Sequence, residues 1–234
     1  MKKFACALLC MLALAAPCAL AQPFGQEMSE TCSDGCLQAV LHYPTTPDET
    51  LNRALSELIQ TFRDQMEELA GDCDEELIKQ LLDSGVEPMS YFTLNYTESR
   101  LGERYVSYVF EASSFPMGAA HPTAQYVSLN FDVQNDRRLS LSDLFQGDYL
   151  STLREQARIA LKNQMGEAAF NELDAEWFEQ GLNQEGAFDT FSLSEEGLTL
   201  QFQQYQLGPY AIGSPKVTIP FSELGEILQD WVTE

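Results

Sequence analysis

Apolar positions step by three and four from Leu51 to Leu69, through Leu55, Leu58, Phe62 and Met66. That spacing puts them on one stripe of an amphipathic helix facing a core. The start is marked by Thr46-Pro47-Asp48-Glu49, with a threonine as N-cap candidate, a proline at the first helical position and an acid at the third. Just before it, residues 37–43 form a short apolar-rich run closed by Pro44-Thr45-Thr46-Pro47, a strand followed by a break. A second helical piece over 74–82 carries Leu77, Ile78, Leu81 and Leu82 and stops at Gly85. After Pro88 the period changes to two: residues 91–99, 104–113 and 125–133 alternate, the third with Val127, Leu129, Phe131 and Val133 on one face. Asn135-Asp136 makes a turn, Ser140-Leu141-Ser142-Asp143 opens a short helical turn, and helical spacing returns over 149–165. A short helical piece over 172–180 contains Trp177 and Phe178. Strands over 190–194, 198–205 and 216–221 and a helix over 223–232 complete the expectation.

Strands and helices thus fall in blocks instead of alternating, which predicts an α+β domain, a largely antiparallel sheet with helices packed on one face. No tandem repeat or low-complexity tract interrupts it. The first residues read differently. Met1-Lys2-Lys3 is cationic, residues 4–20 are almost wholly apolar, and Ala19-Leu20-Ala21 precedes Gln22, the pattern of a signal peptide over 1–21 cut after Ala21. Cys18 raises lipidation as an alternative, but Pro17 immediately before it spoils the small-residue box. Residues 22–36 are polar and read as a flexible lead-in, so the α+β domain is expected over 37–234. No later apolar run is long enough to span a bilayer, so the expected product is periplasmic or secreted, without stable membrane insertion.

The chain carries 13 Lys and Arg against 36 Asp and Glu, a net charge of −23. Loss of Lys2 and Lys3 with the leader leaves 11 basic residues and a charge of −25. Such a field repels nucleic acid and anionic lipid and speeds encounter with cationic partners, although acidity also simply keeps an exported protein soluble. Cys32, Cys36 and Cys73 remain after the leader, and an oxidising compartment leads to one disulfide and one odd thiol. Cys36 with Cys73 and Cys32 with Cys36 both stay open as pairings. A zinc site from these cysteines lacks a second close pair, and neither metal nor cofactor is expected.

Catalytic constellations are scarce. The chain has two histidines, His42 and His121, and no G-x-S-x-G elbow, H-E-x-x-H pair or phosphate-binding glycine loop. Paired acids such as Glu67/Glu68, Asp174/Glu176 and Glu195/Glu196 arise readily in so acidic a chain, and no residue is assigned a catalytic role. Arg154, Arg158 and Lys162 step by four into a basic stripe, which pairs with neighbouring glutamates or holds an anion. His121 sits in Phe115-Pro116-Met117-Gly118-Ala119-Ala120-His121-Pro122-Thr123, where Gly118 gives turn freedom and a ring nitrogen can satisfy a backbone group. Tyr205 and Tyr210 flank Gly208-Pro209, a shaped loop suited to anchoring a protein partner.

The order of "VLHYP" (40–44), amphipathic helix, "GAAHP" (118–122), "LNFDVQNDRRLSLSDLF" (129–145), "FSLSEEGLTLQFQQYQLGPYAIG" (191–213) and "VTIPFSEL" (217–224) resembles the RsiV-like extracytoplasmic domain. That domain occurs in the anti-sigma factor RsiV and in modules preceding some polysaccharide deacetylases. The resemblance implies an α+β domain without catalytic activity of its own, and a cationic protein such as lysozyme as partner. With Tyr205, Pro209 and Tyr210 of the shaped loop, Gly118 and His121 of the segment that recurs in the family make up the partner-binding candidates. Here the family's Gly-Gly-Ala-His is Gly118-Ala119-Ala120-His121, and a cleavable leader stands where RsiV has a sigma-binding segment and a membrane helix. The alternative is a cell-wall hydrolase or enzyme accessory using His121 or a carboxylate as base.

Overall fold

The polar stretch expected to be a flexible lead-in is instead a strand. In the computed structural model, which describes residues 7–9, 24–71 and 74–232, Gln26–Asp34 (β2) pairs antiparallel with Leu37–Thr45 (β3) along its whole length, from Gln26↔Thr45 to Asp34↔Leu37. Its inward positions hold Met28, Glu30 and Cys32, and a charged residue at the middle one hides the alternation on which strand reading depends. Glu30 is kept there by partners: Arg63 donates from Nε (3.1 Å) and Nη2 (2.5 Å), and the Tyr43 hydroxyl donates at 2.6 Å. Burial alone would raise the Glu30 carboxyl, but the Arg63 and Tyr43 bonds outweigh it and hold it below its usual value. Burial, with Glu30 beside it, pushes the Tyr43 phenol up to about 12. The expected leader, its cut after Ala21 and Cys18 lie outside the described residues, except that Ala7–Leu9 (β1) runs antiparallel to β2 in register Ala7↔Thr31.

The remaining elements are the helices α1 (Glu49–Gly71) and α2 (Glu75–Asp83), the strands β4 (Ser90–Leu101), β5 (Tyr105–Phe115), β6 (Thr123–Asp132) and β7 (Arg137–Leu139), the helices α3 (Leu150–Met165), α4 (Glu167–Asn171) and α5 (Ala175–Asn183), the strands β8 (Phe191–Ser194), β9 (Gly197–Gln201) and β10 (Lys216–Ile219), and the short helix α6 (Phe221–Leu224). The larger sheet follows chain order from β1 to β7, and the smaller has the order β10-β9-β8. This is the α+β class read from the sequence. β3 and β4 run parallel, because α1 and α2 carry the chain back before the next strand begins.

The domain expected as one piece over 37–234 divides into two compact units, residues 1–96 with 110–124 and residues 97–109 with 125–234. In the first, α1 packs on β3 and buries Leu51, Leu55, Ile59, Phe62, Met66 and Leu69, with the Phe62 and Phe110 rings 6.0 Å apart. Its cap is Asp48, whose Oδ1 accepts from the Leu51 amide at 2.8 Å. Thr46, two residues earlier, lies outside the helix and donates its amide to Asn52 Oδ1 at 2.7 Å.

In the second unit, one apolar cluster joins Leu153, Ala157 and Leu161 of α3 to Phe178, Leu182, Leu198, Leu200, Phe202, Val217 and Ile219. Asp132, fully buried, ends β6 and accepts from Arg104 (3.0 and 2.7 Å), the Asn135 side chain (2.8 Å) and the amides of Gln134 and Asn135. Burial would raise it; the Arg104 and Asn135 bonds prevail and lower it. The helix expected over 223–232 stops at Leu224, because Gly225 (φ 46) turns the chain. Beyond that turn the backbone pairs with the segment before α3: Gln146 N donates to Ile227 O (2.8 Å) and Gln229 N to Leu144 O (2.9 Å). Among the described residues no helix is long and apolar enough to cross a membrane.

Candidate functional site

The most elaborated loop of the second unit comes after β9. That strand ends at Gln201, short of the expected 205, because two glutamines fold the chain onto itself. Gln203 donates from Nε2 to Tyr126 O (2.7 Å) and Thr190 Oγ1 (3.1 Å), and its Oε1 accepts from the Tyr126 amide (2.9 Å). Gln206, buried, accepts from the Gln203 amide (2.8 Å) and donates to Gly181 O (3.1 Å) and Ala187 O (2.9 Å). Gly181 lies in the last turn of α5, whose carbonyls have no helical amide four residues on. The Gln206 side chain supplies the missing donor. The approach is close: a Cβ at Gly181 would lie 2.0 Å from Gln206 O, so only glycine fits the helix there.

Between these anchors Tyr205 adopts φ 64, a left-handed conformation costing a non-glycine residue about 1–2 kcal/mol. The half-buried Gln203 and the buried Gln206 on either side hold it there, and the ring is turned out, 41 % exposed. It forms a patch with Tyr210 (40 % exposed) and Trp177 (38 % exposed). The tyrosine rings are 6.1 Å apart at 46°, and Trp177 Nε1 donates to Tyr205 O at 3.0 Å. Pro209 starts the single turn of 3-10 helix that carries Tyr210. Trp177 was outside the expected site, since it sits on α5, whose N-cap is Asp174 (Trp177 amide to Oδ1, 2.9 Å). Three large, partly exposed aromatics on a braced backbone bury area at little entropic cost when a partner arrives.

The other candidates occupy the first unit. Gly118 has φ 78 in the turn closed by the Ala119 amide on Pro116 O (3.0 Å), and Met117 beside it is buried with its amide on Ser90 Oγ (2.9 Å). His121 Nδ1 donates to Pro122 O at 3.1 Å, so the ring braces its own loop. His42 Nδ1 lies 3.6 Å from Glu27 Oε1. Cys36 is disulfide-bonded and Cys32 is a buried thiol, which removes Cys32 with Cys36 as a pairing; Cys73 lies outside the described residues. Several acids have structural duties: Asp174 caps α5, and Glu195 accepts from the Gly102 amide at 2.8 Å. Of the basic stripe on α3, Arg158 pairs with Glu179 and Glu155, and Lys162 with Glu167. Among the described residues, no group of three or more His, Cys, Asp or Glu is placed to hold a metal.

Residues 142–222 match the model of a family described as a protein of unknown function, DUF3298. This part of the chain, less than half of its length, is similar to a DUF3298 domain. The match agrees with the resemblance to RsiV-like domains, and its span includes Trp177, Tyr205, Pro209 and Tyr210. The chain is 25 % identical over 207 residues to the peptidoglycan-N-acetylmuramic acid deacetylase PdaC of Bacillus subtilis, covering 87 % of this chain and 42 % of that protein. It thus spans less than half the length of this curated relative. Two solved DUF3298 structures share the fold. One, from Bacteroides fragilis, has a TM-score of 0.65 and 18 % identity over 90 % of this chain and 95 % of its own. The other, from Pseudomonas aeruginosa, has a TM-score of 0.63 and 20 % identity over 99 % of this chain and 97 % of its own.

Proposed function

We propose that the protein is an exported, non-catalytic binding module of the cell envelope that recognises a cationic protein, lysozyme being the specific candidate, through Trp177, Tyr205 and Tyr210. The observation that carries this reading is the strained, outward-turned Tyr205, fixed by the half-buried Gln203 and the buried Gln206 beside two further exposed aromatics. Backbone strain persists where the surroundings enforce it, and such places concentrate at sites of recognition. The charge of −23 favours long-range encounter with a basic partner. Relationship to part of a peptidoglycan deacetylase supports a place at the cell wall, and the leader read over 1–21 supports export.

The test immobilises the chain lacking residues 1–21 and titrates lysozyme at low and physiological salt. Expected are binding that weakens with salt, and a loss of about tenfold or more for Trp177→Ala, Tyr205→Ala and Tyr210→Ala, the behaviour of central anchors. No binding at either salt overturns the lysozyme assignment, and unchanged affinity in all three variants overturns the patch. The relative's name also favours a second reading, an accessory to a wall-modifying enzyme; enhanced peptidoglycan turnover on adding the protein to a deacetylase would favour it over the first.

A further inference from the structure

A second feature of the same compact unit lies apart from the aromatic patch. A cavity of about 440 Å³ is walled by the turn at Ser140 and Ser142, the start of α3 at Tyr149 and Arg154, and the segment after α5 that ends at Asp189. That volume is within the roughly 300–1,000 Å³ typical of small-molecule sites.

Its wall contains a cation whose pairing is incomplete. Arg154 fixes Nε on Leu182 O at 3.3 Å. Among the described residues it pairs with no carboxylate, whereas Arg63, Arg104, Arg137 and Arg158 all do. In a chain with 36 acids and 13 bases, an arginine in a cavity wall with its Nη edge left over is a donor pair for an incoming carboxylate, which guanidinium reads bidentately. Tyr149 lies against the same space, its ring stacked on Phe145 at 4.6 Å and 11°. Burial, and then the charge of Asp189, push its phenol up, so the hydroxyl stays a donor. Asp189 supplies the acceptor: its carboxylate folds over Gly186 (φ 71), where a Cβ would lie 2.7 Å from Oδ2.

The wall therefore combines a guanidinium, a phenol, serine hydroxyls and a carboxylate with the apolar Leu150 and Phe188. A polyphosphate is disfavoured by the carboxylates of Glu185 and Asp189. An acetate-sized anion leaves most of the volume unused. A sugar ring meets both requirements, since its hydroxyls donate and accept while its C–H face packs on apolar side chains. We propose that this cavity binds a carboxylate-bearing saccharide, with Arg154 on the carboxylate and Asp189 and Tyr149 on ring substituents.

N-acetylmuramic acid and its carboxylate-free counterpart N-acetylglucosamine are suitable probes, titrated into the full chain and followed by amide chemical shifts. The acidic sugar is expected to move signals of residues 140–142, 149–154 and 183–189, and to bind about tenfold or more tightly than the neutral one, the worth of one charge-assisted hydrogen bond. Arg154→Gln is expected to abolish that preference. Tyr149→Phe, which keeps the stack on Phe145, is expected to weaken both sugars with an unchanged melting temperature, a readout that holds even where loss of the Leu182 contact unfolds the Arg154 variant. Equal affinity for the two sugars in the unaltered protein, no shift with either, or a retained preference in a folded Arg154→Gln protein overturns the proposal. None of these results bears on the protein-binding reading, because Trp177, Tyr205 and Tyr210 take no part in the cavity wall.

Discussion

Replacing Gln206 by leucine keeps the approximate shape of the side chain and removes only its polar end. Three partners then lose their bonds: the buried Gly181 and Ala187 carbonyls and the half-buried Gln203 amide. A neutral hydrogen bond contributes about 1 kcal/mol net, and a buried group left without one costs about 1–3 kcal/mol. Three such bonds give a loss of at least about 3 kcal/mol, a large part of the stability of an ordinary domain. With a urea m-value of about 1–3 kcal/mol/M, the unfolding midpoint followed by far-ultraviolet circular dichroism should fall by about 1–3 M. Gln203, whose amide is freed, also holds Tyr126 and Thr190, so the proposed partner binding should weaken in the surviving folded fraction. A midpoint shift equivalent to less than about 1 kcal/mol would refute the argument, since it would mean the three groups find other partners without the glutamine.

Gly181→Ala tests the same contact from the helix side. In an open helix this change stabilises by about 0.5–1 kcal/mol; here the Cβ would meet Gln206 O at 2.0 Å, and a loss of about 3 kcal/mol is expected by thermal or urea unfolding, a stabilisation refuting the packing. Acid stability depends on Glu30 and Asp132, both held below their usual values once their ion pairs overcome burial. Such groups bind fewer protons folded than unfolded, so their contribution is complete above the unfolded value of about 4 and is lost as pH falls through the folded values. The urea midpoint should therefore drop below about pH 4, and less steeply in Asp132→Asn; a midpoint that rises on acidification would refute the assignment.

Much of the fold was legible because local pattern and burial agree. The stripe from Leu51 to Leu69 is buried as spaced, save that Ile59 is buried in place of the half-buried Leu58, and the alternating runs became β4, β5 and β6. β2 was illegible because Glu30 occupies an inward position, and the Arg63 that makes this tolerable is 33 residues away. The C-terminal helix failed for a related reason. Spacing over 223–232 suits a helix, but Gly225 and the bonds to Leu144 and Gln146 offer the backbone a better set of partners.

The candidate site divides along the same line. Composition by itself fixed the acidic field, the scarcity of catalytic groups and the loop around Gly208-Pro209 with its two tyrosines, because these depend on residue identity and neighbours alone. Only the tertiary structure decided that Trp177, 28 residues from Tyr205, completes the patch, that Gln203 and Gln206 brace it, and that Arg154 is the member of the α3 stripe without a carboxylate among the described residues. Hydrogen bonds and ion pairs between distant residues are settled by which backbone and side-chain groups folding strips of water together, and no spacing within a linear sequence records that.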